Sequence, residues 1–210
     1  MYERTNTALA MIAYGAEEME AVIVVDILRR AGVSVVVAGE SQIITCSRGV
    51  KLIPDVLLDD VLEEELFDAV VLPGGSRGVE NLGANPHVER LVRANYERGA
   101  LLCAICAAPV LLEQFGILAE NPGIRITSHP SAEAILRQTG RAEYTEEAVV
   151  AHNGVVTSRG AGTAFEFALT VVEMLEGGDV AARIAREILL PQPAAPQPHS
   201  ADVHQSAGEG

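Results

Sequence analysis

Four short apolar runs, each closed by small or turn-forming residues, limit this chain more than any other feature. They are TALAMIA at 7–13, VSVVVAG at 33–39, FDAVVLPGG at 67–75 and GALLCAICAAP at 99–109. Runs this short and uniformly apolar read as strands buried on both faces, the condition of a parallel sheet covered by helices. The stretches between them carry helical spacing. In residues 17–31 it falls on Met19, Val22, Ile23, Ile27 and Leu28. Acids occupy the first turn of that segment, Arg29 and Arg30 the last, and Gly32 is the stop. Strands alternating with helices predict an α/β fold with a mainly parallel sheet and helices on both faces.

The rest of the chain fills in that plan. QIITCSRGVKLIPD, 42–55, reads as a hairpin around Ser47–Arg48–Gly49, and residues 56–67 as an acidic, weakly helical connector. A helix over 86–98 starts at Pro86, a good first-turn residue. Another follows Pro109. Residues 123–130 read as a strand ending at His129, 131–138 as a short helix, and 148–160 as two strands around the turn pair Asn153–Gly154. Helices over 162–176 and 178–190 follow. From Pro191 there are four prolines in eight residues, then small and polar residues. One domain over 1–190 and a disordered Pro-rich tail over 191–210 are expected.

Composition excludes some roles. The 210 residues carry a net charge of −14, so the chain has no general attraction for nucleic-acid backbones or anionic membranes. Three cysteines, an odd number, argue against a secreted disulfide framework. The apolar run near the start is too short to span a membrane, so a cytoplasmic protein is expected.

In a parallel α/β sheet, ligands bind beyond the carboxyl ends of the strands. Those ends are Ala13–Tyr14–Gly15, Pro73–Gly74–Gly75, Cys106 and His129, expected on one rim. Cys106 sits between an apolar strand and a helix, with small residues two before and two after it, Ala104 and Ala108. That is the pattern of a nucleophile elbow, with alanine in place of the usual glycines. The helix start behind the sulfur is expected to lower its pKa and favour thiolate. Glu20 shares a helix face with Ile23, Val24 and Ile27, so it should point inward, with its pKa raised, as a general acid or base for the sulfur. Its neighbours Glu17 and Glu18 read as solvated capping acids. Gly74 and Gly75 can bring a peptide N–H close to a ligand and, with the N–H of Ala107, form an oxyanion hole. His129 is a candidate proton shuttle and thiolate partner.

Other readings remain beside these. Cys106 also fits a small buried hydrophobe. Glu20 fits a carboxylate curled to water, Pro-Gly-Gly an ordinary tight turn, and His129 a satisfied strand-end histidine. Cys103 and Cys106 make a CxxC. Period two places them on opposite faces and no second ligand pair exists, which argues against disulfide redox or zinc. No metal is expected. Cys46 reads as structural or interfacial.

YGAEEMEAV, AGESQIITCSRGVKL, VVLPGG, AAPV after AIC, SHP and TSRGAGTAFEFAL occur in order, and together they resemble the ThiJ/PfpI family. The likeness is to its protein-deglycase branch, with a lean toward the bacterial members, and runs from about residue 7 to about 190. It implies a flavodoxin-like three-layer fold and a homodimer. It places the family's reactive cysteine on Cys106, its protonated glutamate on Glu20, its histidine on His129 and its oxyanion peptides on Gly75 and Ala107. It implies cofactor-independent glyoxalase and deglycase activity on methylglyoxal, glyoxal and their early adducts with amines and thiols. It equally implies a redox-sensing chaperone in which Cys106 is oxidised to sulfinate without turnover. A peptide-cleaving role needs an insertion to build a cleft, and the sequence holds none. Two departures, Ala108 for a frequent glycine and Ala161 for a common proline, are expected at the pocket wall and bear on substrate preference.

Overall fold

The computed structural model describes residues 5–191. The strands are β1 (Thr7–Ile12), β2 (Ser34–Gly39), β3 (Ile44–Thr45), β4 (Lys51–Leu52), β5 (Val56–Leu57), β6 (Ala69–Leu72), β7 (Leu101–Ile105), β8 (Ile124–Ile126), β9 (Ala142–Tyr144), β10 (Val149–His152) and β11 (Val155–Ser158). The helices are α1 (Glu18–Arg30), α2 (Ser76–Ala84), α3 (Pro86–Glu97), α4 (Pro109–Gln114), α5 (Ile117–Glu120), α6 (Pro130–Thr139), α7 (Ala164–Glu176) and α8 (Gly178–Glu187). Seven strands form one sheet in the order β10-β11-β7-β6-β1-β2-β5. Only the β10–β11 pair is antiparallel. The parallel core, β2-β1-β6-β7-β11, has flavodoxin-like order and changes direction between β1 and β6.

Period-two alternation divides the core into two layers. Leu9, Met11, Leu72, Leu102 and Ala104 pack with Leu91, Leu111 and Phe115 of the α3–α5 side. Ala8, Ala10, Val71, Cys103 and Ile105 pack with Val24, Phe167 and Ile184 of α1, α7 and α8. The expected three layers are present. No helix among the described residues is long and apolar enough to cross a membrane.

Several elements depart from the sequence reading. Helix α2 was not expected, because SRGVENLGA contains two glycines and follows a turn; packing of Val79 and Leu82 holds it. The connector over 56–67 is mostly turn, with edge strand β5 and a single 3-10 turn at Leu58–Asp60. The strand ending toward His129 is β8, which pairs with β9 in a separate two-stranded sheet. The hairpins at β3–β4 and β10–β11 form as expected. Asn153 and Gly154 both have positive φ, 50° and 75°. The Pro-rich tail expected from 191 lies outside the described residues, apart from Pro191.

Phe115 and Phe167 are among the largest fully buried side chains, one on each side of the sheet. Phe115→Ala and Phe167→Ala should each lower unfolding free energy by about 3–5 kcal/mol, measured by urea titration.

Candidate active site

Cys106 follows β7 directly and has φ of 65°, the left-handed region that a non-glycine residue seldom adopts. Its backbone N–H donates to Ser158 O at 2.9 Å and its carbonyl accepts from His129 N at 2.8 Å, so both sides of the turn are held. Ala104 and Ala108 are fully buried beside it. These are the features of an elbow, and the side chain is half-buried at the top of the sheet.

Glu20 lies one turn into α1 and is fully buried with Val24 and Ile27. Its Oε2 accepts the Gly74 N–H at 2.7 Å. Oε1 is buried with no hydrogen-bond partner, and the carboxyl interacts with the Cys106 thiol beside it. Gly74 brings the two groups together. A Cβ there would stand 2.6 Å from the Cys106 Cβ and 2.7 Å from Glu20 Oε2, so any side chain would separate them. Gly75 has φ of 86°, and a Cβ on it would collide with the Gly15 carbonyl oxygen. The peptide N–H groups of Gly75 and Ala107 lie near the sulfur and favour its charged form. The structure therefore gathers Cys106, Glu20, Gly74, Gly75 and Ala107 at one point.

The electrostatics differ from the expectation for sulfur. Burial pushes Glu20 from its ordinary 4.5 up to about 7, and the Gly74 N–H offsets only part of this. Cys106 is not lowered. Burial and the nearby Glu20 carboxyl push it up to about 12, against the opposing pull of the Gly75 and Ala107 N–H groups. The helix behind it, α4, is only six residues long and starts three residues after the sulfur. Its dipole is too short and too distant to overcome desolvation. Two negative charges in contact, out of water, are disfavoured, so the pair keeps at least one proton at neutral pH.

His129 lines the same cavity, but its ring bonds to Ser131, not to the sulfur. Its Nδ1 lies 2.8 Å from Ser131 Oγ and accepts Ser131 N–H at 3.2 Å, capping α6. The expected direct His129–thiolate pair is absent among the described residues. Glu18 also departs from its reading as a solvated acid. It is buried and accepts from Ser47 Oγ at 2.9 Å and from the backbone N–H of Arg48 at 2.9 Å. Burial alone would raise this carboxyl. Its own backbone N–H, Ser47, Arg48 and Val50 together hold it below the usual value. Sequence reasoning missed this role because it joins α1 to a hairpin about 30 residues away.

The three cysteines of the chain are free. Cys103 is fully buried, which raises its pKa, and Cys46 is pushed up to about 11 by burial and the Glu18 and Glu17 charges. Period two had placed Cys103 and Cys106 on opposite faces. The count holds only to Ile105; the elbow then turns Cys106 back against the same layer as Cys103. No cluster of three or more His, Cys, Asp or Glu able to hold a metal exists among the described residues. A cavity of about 520 Å³ opens over the site, lined in part by Tyr14, Arg48, Ser76, Arg77 and Ala161. Ala161 is at the wall as expected, whereas Ala108 is packed in the core.

Residues 6–174 match the DJ-1/PfpI family. The chain is 43% identical over 185 residues to the Parkinson disease protein 7 homolog of Danio rerio, covering 87% of this chain and 96% of that protein. It is 40% identical over 163 residues to the glutathione-independent glyoxalase DJR-1.2 of Caenorhabditis elegans, covering 77% and 84%. The crystal structure of Drosophila melanogaster DJ-1beta superposes with a TM-score of 0.83 at 40% identity, over 90% of this chain and 100% of that one. The fold and the elbow define a flavodoxin-like protein with a cysteine at the carboxyl-end rim of its sheet. This chain belongs to the DJ-1/PfpI family.

Two outcomes follow from the geometry. A folded-state pKa raised from 4.5 to about 7 stabilises the protein fully below the ordinary value, and that contribution is lost as pH rises through 7. Relative to Glu20→Gln, the wild type should lose about 3 kcal/mol across that window, read by urea titration at several pH values. Gly74→Ala should remove Cys106 reactivity and lower unfolding free energy by at least about 2 kcal/mol, since the backbone and the Cys106 and Glu20 side chains must move.

Proposed function

We propose that this chain is a cofactor-independent glyoxalase and deglycase, with Cys106 as nucleophile. Its substrates are methylglyoxal, glyoxal and their early adducts with amines and thiols. The observation that carries the reading is the single point at which Glu20, the Cys106 thiol and the Gly75 and Ala107 N–H groups converge. The relative named a glutathione-independent glyoxalase supports the substrate class.

The steps balance. Cys106 sulfur attacks the aldehyde carbon while its proton passes to the Glu20 carboxylate. The Gly75 and Ala107 N–H groups stabilise the developing oxyanion, which takes the proton from Glu20 to give a hemithioacetal. Glu20 then removes the proton from the former aldehyde carbon, leaving an enediolate; the hydroxyl proton on that carbon passes to the neighbouring oxygen, and Glu20 returns its own proton to the neighbouring carbon. The product is a thioester of lactate on Cys106. Water cleaves it, releasing lactate and the thiol. For an early amine adduct, sulfur displaces the amine, which leaves with the proton held by Glu20. His129, on the wall of the same cavity, passes protons to and from solvent.

A second reading uses the same pair. A sulfinate on Cys106 would receive a hydrogen bond from protonated Glu20, giving an oxidation-sensing or chaperone role without turnover. We further infer that the active form is a homodimer working in a reducing compartment such as the cytoplasm. Exposed Val22 and Ile53 line a largely apolar groove between α1 and the β3–β4 hairpin, which suits a second copy of this chain. Three free cysteines suit reducing conditions.

Purified protein should convert methylglyoxal to lactate in amine-free buffer, and Cys106→Ser and Glu20→Gln should each lower kcat by at least about a thousandfold. Retained turnover in Cys106→Ser contradicts the mechanism. No lactate from wild type, with sulfinate forming on peroxide, favours the second reading. Val22→Glu should halve the mass found by sedimentation equilibrium; an unchanged mass rejects this interface.

A further inference from the structure

The cavity over Cys106, about 520 Å³, is far larger than a five-heavy-atom aldehyde needs. Its outer wall is cationic in a chain of net charge −14. Two arginines, Arg48 from the β3–β4 hairpin and Arg77 from the first turn of α2, line it with the hydroxyls of Ser47, Ser76 and Ser131. Both are seated. The Arg48 backbone N–H is held by Glu18, at 2.9 and 3.1 Å to its two oxygens, and Ser47 N donates to Ala16 O at 2.8 Å. The stem of Arg77 lies on Gly15: a Cβ at Gly15 would meet Arg77 Cβ at 2.6 Å and Cγ at 2.9 Å. Gly15, with φ of 82°, leaves the space that this stem occupies.

The guanidinium groups are not consumed by the fold. That of Arg48 makes no ion pair or hydrogen bond among the described residues. Arg77 meets only Glu80, at 3.4 Å with both side chains 66% exposed, a pair too solvated to hold it. The opposing charges on the cavity wall are Glu17 and the Glu20–Cys106 pair. Glu17 already accepts from Ser47 Oγ at 2.6 Å. No side chain caps the start of α2, so its positive end adds to the same wall.

We propose that Arg48 and Arg77 make this site selective for 2-oxoaldehydes and adducts bearing an oxyanion, a carboxylate or phosphate ester, beyond the reacting carbonyl. This rests on Cys106 being the nucleophile of the proposed reaction. The aldehyde carbon sits under the Gly75 and Ala107 N–H groups, and the anion reaches outward between the two guanidinium forks, where bidentate bonding favours planar or tetrahedral oxyanions.

Matched alkylating agents test this without turnover. Iodoacetate and iodoacetamide differ mainly in charge, and mass spectrometry reads their rates at Cys106. The ratio of the two rates is normalised to that of a free small thiol. The wild type should favour iodoacetate by about tenfold over the free thiol, because the cationic wall concentrates anions. Arg48→Gln and Arg77→Gln should each reduce the preference, and the double variant should abolish it. Inorganic phosphate and acetate, added as competitors, separate the two anion types: the one that slows iodoacetate more identifies the group preferred. A normalised ratio near one, unmoved by either variant, overturns the inference while leaving the nucleophile intact. Failure of both reagents to label Cys106 removes the nucleophile, and the proposed function with it.

Discussion

A carboxyl group with no access to water must either keep its proton or face a donor, and Glu20 is in that position. One oxygen takes the Gly74 N–H, the other is buried with no hydrogen-bond partner, and the carboxyl lies against the Cys106 thiol. Two anions cannot share that space, so Glu20 and Cys106 act as one titrating unit that keeps at least one proton between them at neutral pH. The reactive form, with the proton on the carboxyl and the charge on sulfur, is reached by moving that proton over one contact. The Gly75 and Ala107 N–H groups stabilise the charge where it arrives.

Everything near this pair serves to hold it. The sheet changes direction between β1 and β6, opening a crevice where the loops after β1, β6 and β7 meet. Glycines at 74 and 75 let those loops approach within van der Waals limits. Cys106 is held in an unfavourable backbone conformation by hydrogen bonds to β11 and to His129. Glu18, one residue along from Glu17 and two before Glu20, ties the start of α1 to the β3–β4 hairpin. The same helix turn thus places Glu20 in the interior and ties down the hairpin that lines the cavity.

Much of this was legible in the chain. The short apolar runs announce a buried parallel sheet, and helical counting from Val24 and Ile27 turns Glu20 inward. What was hidden was non-local or energetic. α2 was obscured by Gly78 and Gly83, which lower helix propensity and are overridden by packing. Glu18 looked like a surface acid because its partners lie about 30 residues away. The sulfur's environment was misjudged because a helix start suggests a lowered pKa, whereas α4 is short and burial dominates. The place of His129 on the rim was anticipated, but its bond to Ser131 depends on the cap of α6.

The pH dependence of Cys106 alkylation by iodoacetamide, in wild type and in Glu20→Gln, measures the shared proton most directly. The account predicts a first rise in rate centred near pH 7 in the wild type, then a level region, because the first proton leaves the pair near the raised Glu20 value. That rise should vanish in Glu20→Gln, leaving only the thiol's own high-pH titration. A single high-pH rise, the same in both proteins, would contradict it.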